Sequence, residues 1–180
     1  MSLRNSNARQ IIGTQAFVSA CKDVTSDPYR WVWDSPRTLH ERGVVISAAT
    51  VLQVLLQIKL LEDSDHRSDR AQGRLLRNHF DISYERFKSN GCVIPILADH
   101  VEFAARIPGE IKYHNSFGLS REINMLERLV IATAIKGLHQ RGLDLLDYAQ
   151  DQAFARLAAE YSGLKIGTWT RLCDAEAGTG

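Results

Sequence analysis

The chain lacks the signatures that would name a chemistry at once. It has no P-loop, no dinucleotide G-x-G-x-x-G and no G-x-S-x-G elbow, so phosphate-cradling and serine-hydrolase readings have no motif to stand on. Cysteine is scarce and odd in number. Cys21, Cys92 and Cys173 are widely spaced and form no C-x-x-C pair, which excludes a disulfide framework and a structural zinc site. Reduced thiols fit a cytoplasmic chain. Only 4 prolines occur, and no Gly/Ser-rich tract or repeat does, so no linker divides residues 1–180 and a single domain is expected. The net charge is only +1, whereas a protein that coats nucleic acid carries a cationic excess to neutralise phosphate. Nucleic acid is therefore not the expected partner. The start, MSLRNSNARQ, has no apolar signal core. The longest apolar stretch, Val44 to Leu61, contains Ser47, Thr50, Gln53, Gln57 and Lys59, which lipid would penalise. A buried helix away from any membrane is expected there.

What is present reads as helix. Apolar residues recur at three and four spacings in Ser6 to Lys22, from Pro36 to about His66, in Arg67 to His79, Asp81 to Ser89, Val93 to Ile107, Arg121 to Gln140, Leu143 to Ser162 and Leu164 to Glu176. Ser35-Pro36 suits a helix start, Asn90-Gly91 and Gly142 suit helix ends, and Pro108-Gly109 breaks a helix. No alternating run is long enough to compete as a sheet strand. The expected fold is all-α: one bundle-like domain of about six or seven helices around a buried central helix at about 43–63.

Two stretches could carry function. The first is Asp23 to Asp34, a connection in which Tyr29, Trp31 and Trp33 alternate. An extended backbone would put all three on one side, as a partner or ligand platform or as a plug for the end of the bundle. The second is the end of the central helix. On a helical wheel Lys59, Glu62, Asp63 and His66 emerge within roughly 100° of one another on the buried side. Buried charge must be paired, hydrogen-bonded or metal-bound, so Glu62, Asp63 and His66 are candidate ligands for a divalent cation such as Mg²⁺. The other reading ends the helix near Leu61, loses the phase and leaves the charges in solvent. Arg67, Arg70, Arg74 and Arg77 follow as a stripe whose planar forks suit phosphate or carboxylate, with Lys59 beside them. Lesser clusters are Asp144, Asp147 and Asp151, the wheel-buried Glu127, and Asp99-His100 with Glu102.

The segment Lys59-Leu60-Leu61-Glu62-Asp63-Ser64-Asp65 resembles the K-L-x-D-D-x-x-D motif of an uncharacterised bacterial all-helical family. Gly167-Thr168-Trp169-Thr170-Arg171-Leu172-Cys173-Asp174-Ala175-Glu176 is similar to that family's later G-R-W-x-Y-x-x-D-A-x-D-D motif, with Thr168 for Arg, Arg171 for Tyr and Ala177-Gly178 for the closing acidic pair. The pair of acidic motifs is distantly similar to the metal–diphosphate sites of class I isoprenoid synthases. The resemblance implies a helical fold and acidic metal ligands at Glu62, Asp63 and Asp174.

Two functions follow as expectations. The first is a non-catalytic helical module that binds a protein partner, or self-associates, through aromatic and apolar surfaces. The alternative is a metal-dependent enzyme or binder that takes a small phosphate- or diphosphate-bearing ligand at the acidic-plus-arginine end of the central helix.

Overall fold

The structure is a computed structural model that describes residues 8–112, 120–136 and 143–146. It is mostly helical, but a parallel sheet runs through it. The elements run β1 (Gln10–Ile12), α1 (Thr14–Lys22), α2 (Asp27–Trp33), α3 (Leu39–Arg42), β2 (Val44–Ser47), α4 (Ala48–Glu62), α5 (Arg67–Ser89), β3 (Val93–Ile94), α6 (Ala98–Arg106), β4 (Glu110–Lys112), β5 (Ser120–Glu122), α7 (Met125–Lys136) and β6 (Asp144–Leu146). One sheet has the order β3-β2-β1-β6 with every pairing parallel; β4 and β5 make a separate antiparallel pair.

The all-α expectation is corrected here. Ile11, Ile12, Val44, Val45 and Ile46 are all fully buried. Strands covered on both faces read as continuous apolar runs rather than alternating ones, so the test for alternation passes over them. Their chemistry decides for strand. All five are β-branched, stiff at χ1 and suited to a pleated surface. Burying each is worth roughly 1.5–3 kcal/mol, against the ~0.5 kcal/mol per residue by which helix propensities differ. Strands β1 and β2 also run into α1 and α4 with at most one residue between. Ser47 ends β2 and caps α4, its hydroxyl accepting the Ala49 N–H at 3.1 Å.

Other boundaries move for local reasons. The helix expected through Gly43 is cut there, because Gly43 takes φ 66° and closes α3 in the left-handed conformation. Its true start is Thr38, which forms a capping box with Glu41. Ser26 caps α2, so Asp23 to Asp34 is not extended. The two arginine-bearing segments expected apart form one helix, α5, of 23 residues. Gly91, with φ 65°, ends it as the sequence suggests. Leu143 leads into strand β6 rather than a helix, and the helices expected over 147–176 lie outside the described residues.

The core joins the sheet to α1, α4, α5 and α7. Phe17 of α1 meets Phe80 and Phe87 of α5 edge to face, with ring centroids 6.0 and 5.6 Å apart. Helices α4 and α5 pack along their length across the short Asp63–His66 turn. Gly73 permits the closest approach: a Cβ there would lie 3.0 Å from the Glu62 backbone nitrogen and 3.0 Å from the Leu61 Cβ. Among the described residues, no helix is long and apolar enough to cross a membrane.

Gly73→Ala sets a helix-propensity gain of about 0.5–1 kcal/mol against overpacking of about 1–3 kcal/mol. The obstructing atom is backbone, so the overpacking wins. The variant should unfold about 1 kcal/mol sooner in urea than wild type. Equal or higher stability would show that the two helices separate freely.

Candidate functional site

The acidic end of α4 is a clasp between two helices. Helix α4 stops at Glu62, Asp63 is its C-cap, and the chain turns at Ser64 and Asp65. His66 is the exposed N-cap of α5, and its side chain makes no cap bond. The phase that would have put Glu62, Asp63 and His66 on one arc is lost within that turn. Glu62 faces α5 and accepts from Arg77 twice, Nε to Oε1 at 3.3 Å and Nη2 to Oε2 at 3.0 Å. This fork holds the Glu62 carboxyl below its ordinary value of 4.5, with desolvation opposing it. The Arg77 guanidinium is pushed up by the same bond. Lys59 pairs with Asp63 at 2.7 Å on the open surface, where such a pair contributes little. Arg70 reaches back to the turn, donating from Nη1 to the Ser64 and Asp65 carbonyls at 2.8 and 3.0 Å. Ser64 donates to Asp69 at 2.8 Å.

Arg67 and Arg74 are exposed. Lys59, Glu62, Arg70 and Arg77 thus engage one another's helices or the turn, and Arg67, Arg74 and His66 face water. Among the described residues no group of three or more His, Cys, Asp or Glu side chains is arranged to hold a metal ion. Asp174 lies outside the described residues.

The aromatic trio divides. On a helix, residues two apart point to different sides. Trp31 is buried, with the Arg42 guanidinium 3.9 Å over its ring. Trp33 is half-buried, donates from Nε1 to the Ala20 carbonyl at 2.7 Å and sets its ring edge-to-face on Phe87. Tyr29 is half-buried. Trp31 is thus built into the core, while Tyr29 and Trp33, four apart on α2, share another side of the helix, so the three do not line up as an extended backbone would set them.

The topology marks a second place. Because β3, β2, β1 and β6 are parallel, their carboxyl ends share one edge. The chain leaves β1 for β2 and β3 on one side and returns to β6 on the other, so β1 and β6 flank the switch point where open α/β sheets form a crevice. Helices α1 and α4 begin at this edge, at Thr14 and Ala48. Among the described residues, the polar side chains at the starts of α1 and α4 are neutral hydroxyl and amide groups. Thr14 Oγ1 donates to Gln53 Oε1 at 2.8 Å. Ser47 and Thr133 hydroxyls lie 3.2 Å apart and fully buried, and Thr133 Oγ1 donates to the Leu129 carbonyl at 2.7 Å. With that proton committed, Ser47 is the donor to Thr133 and the acceptor from Ala49. Thr50 Oγ1 is buried nearby in the first turn of α4, without a hydrogen-bond partner among the described residues. The sequence signal for this edge is an apolar run ending directly in Gly13-Thr14 or Ser47, a helix N-cap placed at a strand's end.

Two further acidic clusters resolve into local structure. Glu127 caps its own helix: it accepts the Asn124 N–H at 3.1 Å while Asn124 Oδ1 accepts the Glu127 N–H at 2.9 Å. His100 is buried, its Nδ1 accepting the Leu97 N–H at 3.2 Å, and burial pulls its pKa down.

No family model and no curated protein matches the chain.

Two outcomes test these assignments. Thr133→Val strands the buried Ser47 donor and should cost about 1–3 kcal/mol, while adding Ser47→Ala should cost less than the sum of the single changes. Strict additivity by urea denaturation would mean that the two hydroxyls do not interact. The second concerns Glu62, whose lowered folded pKa makes its stabilisation full above pH 4.5 and lost as pH falls through the folded value. The melting temperature of wild type should therefore exceed that of Glu62→Gln at neutral pH, and the gap should close as the pH is lowered through the depressed folded value of Glu62. A gap that persists unchanged at the acid end would assign it to something other than this ion pair.

Proposed function

We propose that this chain is a non-catalytic helical interaction module that self-associates through the outer face of α4. One observation carries the reading. Leu52, Leu56 and Leu60 are 43, 48 and 75% exposed and recur every fourth residue. Val51, Val54 and Ile58 bury the other side of the same helix. Single exposed leucines are ordinary, but three in line form one apolar strip roughly 12 Å long. Removing that strip from water is the available driving force.

A second copy is the occupant that fits. The strip is symmetric about Leu56, so a two-fold axis there sets Leu52 against Leu60 of the partner and Leu60 against its Leu52. Isologous pairing needs a surface complementary to itself, and three equally spaced leucines meet that requirement. The flanks are Gln57 and the Lys59–Asp63 pair, which stay solvated at a rim. Tyr29, Trp31 and Trp33 take no part in this association, because Trp31 and Trp33 are built into the core. The alternative, a phosphate or diphosphate ligand held by Mg²⁺ at Glu62, Asp63 and His66, draws less support, since Arg70 and Arg77 already serve the α4–α5 turn.

Sedimentation velocity over a concentration series should show wild type shifting toward a dimer. Leu56→Glu with Leu60→Glu should remain monomeric while keeping its far-ultraviolet spectrum. A wild type that is monomeric throughout, or a double variant that still associates, would overturn the reading.

A further inference from the structure

We propose that the cleft between the end of α2 and the end of α5 binds a small planar organic anion, an aryl phosphate or carboxylate, between Arg37 and Arg86 and against Trp33. The cleft has a volume of about 300 Å³ and is lined by Val32, Trp33, Ser35, Arg37, Thr38, Leu39, Arg86 and Asn90. That volume lies at the lower end of small-molecule sites and suits one ring with one charged group.

Its walls have distinct chemistry. Val32 and Leu39 are buried and give an apolar floor. Trp33 gives a rigid aromatic wall, fixed by its bond to the Ala20 carbonyl and by Phe87. The Arg86 guanidinium lies 5.2 Å over the Trp33 ring. A guanidinium on an indole face keeps its N–H fork free at the edge, where a carboxylate or phosphate can take two hydrogen bonds. Arg37 also lines the cleft and is exposed, and neither arginine forms a salt bridge among the described residues. The carboxylate felt by Arg37 is Glu41, which is drawn to the Thr38 N–H and hydroxyl at 2.8 and 2.9 Å. Two guanidiniums that form no salt bridge among the described residues, set on one concave surface, attract an anion. The aromatic wall selects one with a flat face.

The cleft is separate from the α4 strip and from the Glu62–Arg77 clasp, so its test does not depend on either. Calorimetric titration of the full chain with phenyl phosphate at low ionic strength should show saturable one-to-one binding. Inorganic phosphate and phenol, which each carry half of the recognition, should bind more weakly. Arg37→Gln and Arg86→Gln should each weaken phenyl phosphate by about tenfold or more with unchanged melting temperature, as loss of a charge-assisted hydrogen bond requires. Arg74→Gln, an exposed arginine outside the cleft, should bind as wild type does. No saturable binding would overturn the proposal. So would an equal loss in Arg74→Gln, which would mark general charge attraction.

Discussion

Everything else in the structure hangs on two short runs of β-branched side chains. Ile11-Ile12 and Val44-Val45-Ile46 lie side by side in parallel register, Ile11 opposite Val45 and Ile12 opposite Ile46, all fully buried. A parallel pair needs a crossover between its strands, and α1 to α3 supply it. Both faces of such a sheet must be covered, which obliges α1, α4 and α7 to lie against it. The starting points of α1 and α4 are then fixed, since each begins at the residue or two after its strand. The hydroxyl pair Ser47–Thr133 ties α7 to the same edge at 3.2 Å in a fully buried setting, where an unpaired hydroxyl would be costly.

The helices were legible in the sequence because their periodicity is long. Helices α4, α6 and α7 fall inside segments whose three and four spacings read as helical, and α5 joins two such segments. The sheet was not legible, and the reason is physical. Strands of two to four residues are too short to show alternation. Val44 to Ser47 joins directly to α4, so its apolar residues extend the helical pattern backwards. The true punctuation was Gly43, whose left-handed backbone needs a glycine more than a helix tolerates one.

The acidic cluster shows the converse limit. A wheel drawn through Leu61 keeps its phase only while the helix lasts, and α4 ends one residue later. Glu62 finds its partner in Arg77 of α5, fifteen positions along the chain, and no local spacing rule reaches that far. Lys59 and Asp63 pair with each other on the surface. Helix α4 itself was read as buried because it is apolar almost all round. That pattern gives the capacity to be buried on every side. How much is covered depends on how many elements reach it, and α1, α5 and α7 leave the Leu52–Leu56–Leu60 face open.

Helix α5 links these features mechanically. At 23 residues it spans roughly 34 Å as a single rod. Its first half is fixed to α4 by the Gly73 contact and the Arg77–Glu62 fork, and its second half to α1 by Phe80 and Phe87. A rod held at both ends has no freedom to roll, so Arg86, one residue before Phe87, is carried to a set place over Trp33. The indole is independently fixed by the Ala20 carbonyl. The aromatic wall and one guanidinium of the cleft are thus ordered by the core before any ligand arrives, which lowers the entropic cost of binding there. Arg37 differs, since it sits in the short connection between α2 and α3, its backbone N–H held by Ser35 Oγ at 3.4 Å and its side chain exposed. Ordering that side chain would accompany binding, so Arg86 and Trp33 would set the position of the proposed anion before Arg37 joins them.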